Sequence, residues 1–236
     1  MIIRRDKWAH VFVLALLAGL SAALPVRAAD PDKSHPHQGI VEPFDGKPPT
    51  IELDTDQRRQ LDSGEPVLVT LEGRDGGRGM AIQDISAPPE VIWNRIAAFD
   101  EYPRMVDHVE ESEVYFAEGD DVRVRMVLRV MTFDYEYYIR HTYRPDQGYV
   151  TWTLDYTRES DLDDSVGYWA VIPHPTRPGT SRLFYSIDIR TRGWMPSFVR
   201  NLLAERGLKD ATGWVKREAE ARQREPSPAA NPANEG

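Results

Sequence analysis

The chain has 236 residues, of which 41% are hydrophobic, 10% aromatic and 28% charged, and it contains no cysteine. This composition is typical of one globular domain with additional terminal segments. The lack of cysteine excludes a disulfide framework, a thiolate metal site, a cysteine nucleophile and a lipid attached to cysteine. The formal net charge of −9 disfavours binding to nucleic acid or to an anionic membrane surface.

Residues 1–28 have the pattern of a secretory signal peptide. Arg4, Arg5 and Lys7 precede an apolar run over 11–24, and Val26-Arg27-Ala28 fits the positions that a signal peptidase reads. An uncleaved membrane anchor is the alternative, but the run is shorter than the roughly 20 residues that cross a bilayer. We expect cleavage after Ala28, export to the periplasm and no stable membrane anchor afterwards.

Three segments follow the predicted signal peptide. Residues 29–54 are rich in proline and are predicted to form a flexible tail, and residues 223–236 are predicted to form a disordered C-terminal tail. Residues 55–222 lie between them and are predicted to form one domain. Because no disulfide is available, a hydrophobic core must hold this domain together.

The domain begins with short elements. Thr55 is the predicted N-cap of a helix that ends at Gly64, and residues 67–71 and 80–85 are predicted to be extended around a turn at Asp75-Gly76-Gly77. Ser86 and the prolines after it begin a predicted amphipathic helix over 88–99.

Residues 122–130 and 133–143 alternate apolar and polar residues with a period of two, which predicts two strands with one buried face each. A tight turn at Met131-Thr132 gives a register in which apolar residues meet across both strands. The predicted pairs are Val130 with Phe133, Leu128 with Tyr135, Met126 with Tyr137, Val124 with Ile139, and Arg129 with Asp134 on the outer face.

A turn at Pro145-Asp146-Gln147-Gly148 predicts the next strand. It pairs Val150 with Tyr143, Trp152 with His141, Leu154 with Ile139, and Tyr156 with Tyr137. Further strands are predicted at 109–117, 164–172 and 182–191, and a long helix over about 196–222. The predicted fold class is α+β, in which a curved antiparallel β-sheet wraps around a long C-terminal helix.

Several stretches of about 60–220 resemble the SRPBCC or START-like helix-grip superfamily, and within it the polyketide cyclase/dehydrase and coenzyme Q-binding START-type group. These stretches are Ala87-Pro88-Pro89-Glu90-Val91-Ile92-Trp93, Phe99-Asp100-Glu101-Tyr102-Pro103, Asp164-Ser165-Val166-Gly167-Tyr168-Trp169 with Pro173, and the helix after Trp194-Met195-Pro196. They are packing and turn residues, so they indicate a fold more than an activity. The resemblance implies a deep apolar cavity between sheet and helix that holds a lipid, quinone, polyketide or similar hydrophobic molecule.

The inward face of the predicted sheet is rich in aromatic rings, as apolar ligand sites usually are. The candidate ligand-binding residues are Met126, Tyr135, Tyr137, His141, Trp152, Tyr156, Trp169 and Tyr185, with Leu202 from the terminal helix. Each ring taken singly is also explained as core filling, so the prediction depends on the set. His141 is the candidate acid or base, although a lone inward histidine is more often structural.

Other patterns predict no chemistry. His35-Pro36-His37 has too few ligands for a metal, and Gly76-Gly77-Arg78-Gly79 is followed by an extended segment where a phosphate loop needs a helix. The carboxylates of 159–164 lack calcium-loop spacing and are predicted to lie in a solvated loop. Arg123, Arg125 and Arg129 share a face with Asp134 and Glu136, which predicts a charge-paired surface. We predict no cofactor, no metal and no assigned catalytic residue.

Three functions remain open. The first is an exported, non-enzymatic protein that binds or carries a small hydrophobic ligand in the cavity. The second is a polyketide cyclase or dehydratase in which His141 and Tyr137 act as acid and base on a bound substrate. The third is a sealed domain that binds another protein through its surface.

Overall fold

The computed structural model describes residues 29–37, 40–44, 46–48, 51–73, 76–192 and 207–224. The predicted signal peptide, the chain beyond residue 224 and the first part of the predicted terminal helix lie outside these ranges. None of the helices in the described ranges is both long and apolar enough to span a bilayer.

Eight antiparallel strands form one sheet in the order β1-β2-β8-β7-β6-β5-β4-β3. The strands are β1 Val67–Gly73, β2 Gly76–Ile85, β3 Val109–Glu118, β4 Asp121–Val130, β5 Phe133–Arg144, β6 Tyr149–Leu154, β7 Leu162–Pro173 and β8 Ser181–Thr191. The predicted α+β class and the antiparallel sheet are confirmed.

The predicted register of β4 and β5 is confirmed at every pair, from Val130 opposite Phe133 to Val124 opposite Ile139. Met131 turns the chain with a φ of 58°, and Gly148 closes the next turn with a φ of 81°. Both turns place the following strand so that its apolar residues face the same side as those of the preceding strand. The predicted Tyr156–Tyr137 pair was wrong, because β6 ends at Leu154.

Within the described residues, the helices that flank the sheet are α1 Thr55–Asp62, α2 Pro89–Ile96, α3 Tyr102–Met105 and α4 Gly207–Arg224. The N-cap of α1 is Asp54 instead of Thr55, because Asp54 and Gln57 form a reciprocal capping box. α2 ends three residues earlier than predicted, and Phe99 belongs to a 3₁₀ turn over Phe99–Glu101. The chain therefore bends sharply between α2 and α3.

Helix α4 packs closely against β2 and is fixed by polar contacts as well. A Cβ on Gly79 would lie 2.7 Å from Cδ2 of Leu208, so a larger residue there would displace the Leu208 side chain. The Lys216 ammonium donates to the Asp84 carbonyl at 2.9 Å, and the Ser86 amide donates to the Glu220 carboxylate at 3.1 Å. These contacts hold α4 across the inner face of the sheet.

The sheet has a core on each face. The larger core lies between the inner face and helices α2, α3 and α4, and contains Trp93, Trp152, Trp169 and Trp214. The smaller core lies on the outer face, where Leu53, Leu61 and Phe44 cover Tyr168 and Phe184. The outer faces of β2, β7 and β8 are thus protected by residues N-terminal to the sheet.

The prediction of a solvated loop at 159–164 was wrong. Asp161, Asp163 and Asp164 are buried, and part of the proline-rich segment covers them. The Val41 amide donates to the Asp164 carboxylate at 2.6 Å, and the imidazole of His35 lies 2.8 Å from the Asp163 carbonyl oxygen. His35 and Val41 therefore pack onto the domain, within a segment that the sequence predicts to be a flexible tail.

Candidate functional site

A cavity of about 230 Å³ lies between the inner face of the sheet and α4. Voids in protein interiors are rarely larger than a water molecule, and an engineered apolar cavity of about 150 Å³ binds benzene. This cavity is therefore large enough to hold a small organic molecule. Its described lining includes Phe99, Tyr102, Val109, Met126, Leu128, Val130, Tyr137, Ile139, His141, Trp152, Leu162, Ser165, Trp169, Tyr185, Ile187, Ile189, Ala211 and Trp214.

The structure brings six of the nine predicted site residues to this cavity: Met126, Tyr137, His141, Trp152, Trp169 and Tyr185. They come from five neighbouring strands, β4, β5, β6, β7 and β8. Alternation along each strand points these side chains inward, as predicted. Their role in binding a ligand stays a prediction.

Three predicted site residues have other positions. Tyr135 is buried in the larger core opposite Leu128 but does not line the cavity. Tyr156 lies beyond the end of β6, packs against the ring of His37 at 4.3 Å and donates its hydroxyl to Asp164. Leu202 lies outside the described residues.

The aromatic wall of the cavity depends on a glycine. Gly167 is directly opposite Trp152, and the Trp152 indole lies over the position that a Cβ of residue 167 would occupy. The indole stacks on Tyr185 at 5.7 Å, while Trp169 lies 4.3 Å from the same tyrosine ring. A side chain at position 167 would exclude this arrangement.

His141 is a neutral hydrogen-bonding group in this site. Its Nδ1 lies 3.3 Å from the Val122 carbonyl oxygen, so Nδ1 carries the proton and Nε2 is an acceptor. Its ring lies 4.9 Å from that of Phe99 and 6.3 Å from that of Trp152. Burial lowers the pKa of His141 to about 4, because the protonated form is poorly solvated there.

Three tyrosines add hydroxyl groups to the lining. The Tyr102 hydroxyl donates to the Ile96 carbonyl at 2.6 Å, which fixes the turn between α2 and α3. Burial raises the pKa of Tyr137 and of Tyr185, and the nearby Tyr137 phenol adds to the effect on Tyr185. All three phenols are therefore protonated at neutral pH.

The described lining includes four exposed polar or charged side chains. Asp107, His108, Asp210 and Arg217 are all exposed, so they mark the mouth. No sequence pattern predicts the loop that carries Asp107 and His108, where His108 has a φ of 69°. The inward-facing positions of the predicted strands did include Leu128, Ile187 and Ile189, which line the cavity but are not among the predicted site residues.

The site has no evident means of holding a metal. In the part of the chain that the structure describes, no three histidine, aspartate or glutamate side chains are grouped to bind one ion. What the arrangement offers is apolar contact area with a few hydrogen-bonding groups that orient a guest.

The outer surface of the protein contains a second groove, of about 860 Å³, between α2 and the turn at Pro145–Gln147. Lys47, Glu90 and Asp146 line it together with Trp93. Because polar groups form a larger share of the groove's walls, the cavity under α4 is the better candidate for an apolar ligand.

Comparison with known proteins agrees with this architecture. Residues 85–212, more than half of the chain, match the family described as "Polyketide cyclase / dehydrase and lipid transport". The chain belongs to this family. The match covers α2, α3, strands β3 to β8 and the beginning of α4, and it includes most of the residues that line the cavity. A search of curated proteins finds no match.

Solved structures show the same helix-grip fold. The Zhui aromatase/cyclase from Streptomyces sp. R1128 is 18% identical with a TM-score of 0.55, covering 63% of this chain and 96% of its own. The STAR-related lipid transfer protein from Xanthomonas axonopodis, fragment 25-204, is 11% identical with a TM-score of 0.54, covering 65% and 92%. At such low identity these similarities establish the fold alone.

Proposed function

We propose that the protein is an exported carrier that binds a small hydrophobic molecule, such as a lipid, quinone or polyketide-like compound, in the cavity under α4. The observation that carries the proposal is the cavity of about 230 Å³, lined mainly by aromatic and aliphatic side chains. Transfer of a ligand's apolar surface into this space contributes roughly 25 cal/mol per Å², before the costs of association. The family to which the chain belongs, described by cyclase/dehydrase activity and lipid transport, supports the same proposal.

Native mass spectrometry of the protein purified from its own compartment tests this function. We expect a co-purifying molecule bound in a one-to-one complex. Ala211→Phe places a ring in the cavity and should remove the molecule, whereas Ala221→Phe makes the same change on the exposed side of α4 and should retain it. A ligand that persists equally in both variants would place its binding site elsewhere.

Export rests on the sequence of residues 1–28. N-terminal sequencing of the protein from the periplasmic fraction should begin at Ala29. A protein that retains residues 1–28 in the membrane fraction would support the anchor instead.

A second candidate function is a cyclase or dehydratase, favoured because His141 and Tyr137 line the same cavity. A neutral imidazole can remove the proton next to a ketone, while a protonated phenol supplies a proton to a carbonyl oxygen; cyclisation with dehydration then releases one water. Incubation with a polyketone and mass analysis should show this loss of water, and His141→Phe should abolish it. A sealed domain, the third interpretation, would have no cavity of this size.

A further inference from the structure

A segment outside the family match packs against β7 and the residues before it. This segment, here called the N-terminal strap, consists of residues 29–37 and 40–41. His35 fixes it, because the Ser160 amide donates to Nδ1 at 3.0 Å and Nε2 donates to the Asp163 carbonyl at 2.8 Å. Both ring nitrogens of this buried imidazole are therefore used to hold the N-terminal strap on the domain.

The second attachment of the N-terminal strap is the Asp164 carboxylate, which is completely buried. The Val41 amide donates to its Oδ2 at 2.6 Å. The Tyr156 hydroxyl and the Ser165 amide donate to its Oδ1 at 3.1 and 2.8 Å. A buried carboxylate is costly unless hydrogen bonds replace its hydration, so Asp164 keeps this position only while its donors are in place.

Ser165 extends this contact through the sheet to the ligand cavity. Successive residues of a strand point to opposite faces, so Asp164 faces the N-terminal strap and Ser165 faces the cavity, which it lines. The Trp152 indole Nε1 donates to the Ser165 hydroxyl at 3.4 Å. A series of hydrogen bonds through two neighbouring residues thus connects Val41 on one side of the sheet with the aromatic wall on the other.

The N-terminal strap is held less firmly than the sheet. Its described residues form no helix or strand, and 31–34, Pro36 and Ile40 are exposed. The two ring nitrogens of His37 are buried without a hydrogen-bond partner among the described residues. Unmade buried hydrogen bonds cost free energy, and segments with few backbone hydrogen bonds open before the rest of a fold. The N-terminal strap can therefore open while the sheet stays intact.

We propose that the N-terminal strap controls the affinity of the cavity for its ligand, with Asp164 as the positioning residue between them. The proposal rests on the binding function proposed above and concerns the regulation of that site. When the strap is docked, Asp164 fixes Ser165 and the Trp152 indole is held in the cavity wall. When the strap opens, the carboxylate turns toward water and the indole loses its anchor. By linkage, a bound ligand stabilises the docked strap by the same factor by which the strap tightens ligand binding.

Titration calorimetry of variants of the N-terminal strap tests the control of affinity. The probes are naphthalene and 2-acetonaphthone, two small uncharged ring compounds. Val41→Pro removes the amide that donates to Asp164, and His35→Ala removes the other attachment. We expect both variants to bind the probes weaker by about fivefold or more. Lys33→Ala is the matched control, because Lys33 is an exposed residue of the same strap, and its affinity should be unchanged.

The indole N–H resonance of Trp152 distinguishes positioning from a general loss of stability. Its absence from the spectrum of Trp152→Phe assigns it. We expect it to shift in Val41→Pro and in Asp164→Asn, which has one acceptor oxygen fewer for its three donors, and to stay unchanged in Lys33→Ala. If the melting temperature falls without a shift of this resonance, the N-terminal strap is structural only and the proposal is overturned.

Hydrogen exchange of the unaltered protein provides the reciprocal test. Saturation with naphthalene should slow exchange of the Val41 amide by about the same factor by which Val41→Pro weakens binding. An exchange rate that naphthalene leaves unchanged would overturn the proposal, and this measurement decides even if a variant does not fold.

The outcomes separate the two proposals. If the probes bind the unaltered protein and the folded strap variants equally, control by the N-terminal strap is overturned and the binding function stands. If neither probe binds the unaltered protein, the binding function is overturned and the control with it.

Discussion

Replacement of Gly167 by alanine tests whether the aromatic wall has the geometry described. The added Cβ would lie within 2.6 Å of Cε2 of Trp152 and would also overlap the Ser186 carbonyl oxygen. Carbon atoms in contact are normally about 3.5–4.0 Å apart, so the indole must move by about 1 Å or more. The Ser186 carbonyl belongs to the backbone that pairs with Tyr168, so relief of its overlap requires a local shift of β8 in addition to movement of the indole.

The expected cost of Gly167→Ala is about 2 kcal/mol of unfolding free energy, within the usual range for overpacking. For a domain of this size that lowers the Tm by about 4–8 °C. Gly213→Ala is the matched control, since its Cβ would meet nothing closer than Nη1 of Arg217 at 3.9 Å. Because alanine favours a helix over glycine, this control should be stabilised by about 0.5–1 kcal/mol.

Calorimetric melting and naphthalene titration of both variants provide the measurements. We expect Gly167→Ala to melt earlier and to bind naphthalene at least fivefold more weakly, because the displaced indole occupies ligand space. If it melts and binds like the unaltered protein, the close contact of Trp152 with Gly167 is incorrect.

Three further predictions concern the cavity and buried ionisable groups. Calorimetric titration should show naphthalene binding at least tenfold weaker in Ala211→Phe and unchanged in Ala221→Phe. Equal effects of the two substitutions would contradict the position assigned to the cavity. Burial lowers the pKa of His141 to about 4 in the folded protein, so below about pH 6.5 the unfolded chain takes up a proton at this residue and the folded protein does not. The free energy of unfolding therefore decreases between about pH 6.5 and pH 4. Denaturant unfolding across this range should show a smaller loss for His141→Phe, and identical slopes would contradict its burial. Burial raises the pKa of Asp161 to about 6, so the free energy of unfolding falls as the pH rises from about 4 to 6. Asp161→Asn should remove about 3 kcal/mol of this loss. A difference in unfolding free energy between the two proteins that stays constant across this pH range would refute the prediction.

The strand pairing was predictable because it depends on residues that are close together in the sequence. Alternation with a period of two and a two-residue turn determine which residues of β4 and β5 face each other, and the pairs from Val130 with Phe133 to Val124 with Ile139 follow. The same parity placed Tyr137, His141 and Trp152 on the cavity side. Family resemblance of the α2 and β7 segments added the position of the terminal helix.

The errors come from contacts between distant parts of the sequence. Asp164 is buried because the amide of Val41, 123 residues away, donates to it, and Asp163 contacts His35 across 128 residues. No pattern within residues 159–164 indicates that residues near the N-terminus pack over these carboxylates. Tyr156 was misplaced because Asp155 accepts hydrogen bonds from the Thr157 amide and hydroxyl, which ends the strand before that residue.

The most direct test of the account is a crystal structure of the protein grown with 2-acetonaphthone. The account predicts electron density for the compound under α4, with its rings against Trp152 and Trp169 and its carbonyl oxygen beside the Tyr137 or Tyr185 hydroxyl. A structure in which the protein's own side chains fill this space, leaving the compound unbound, would contradict it.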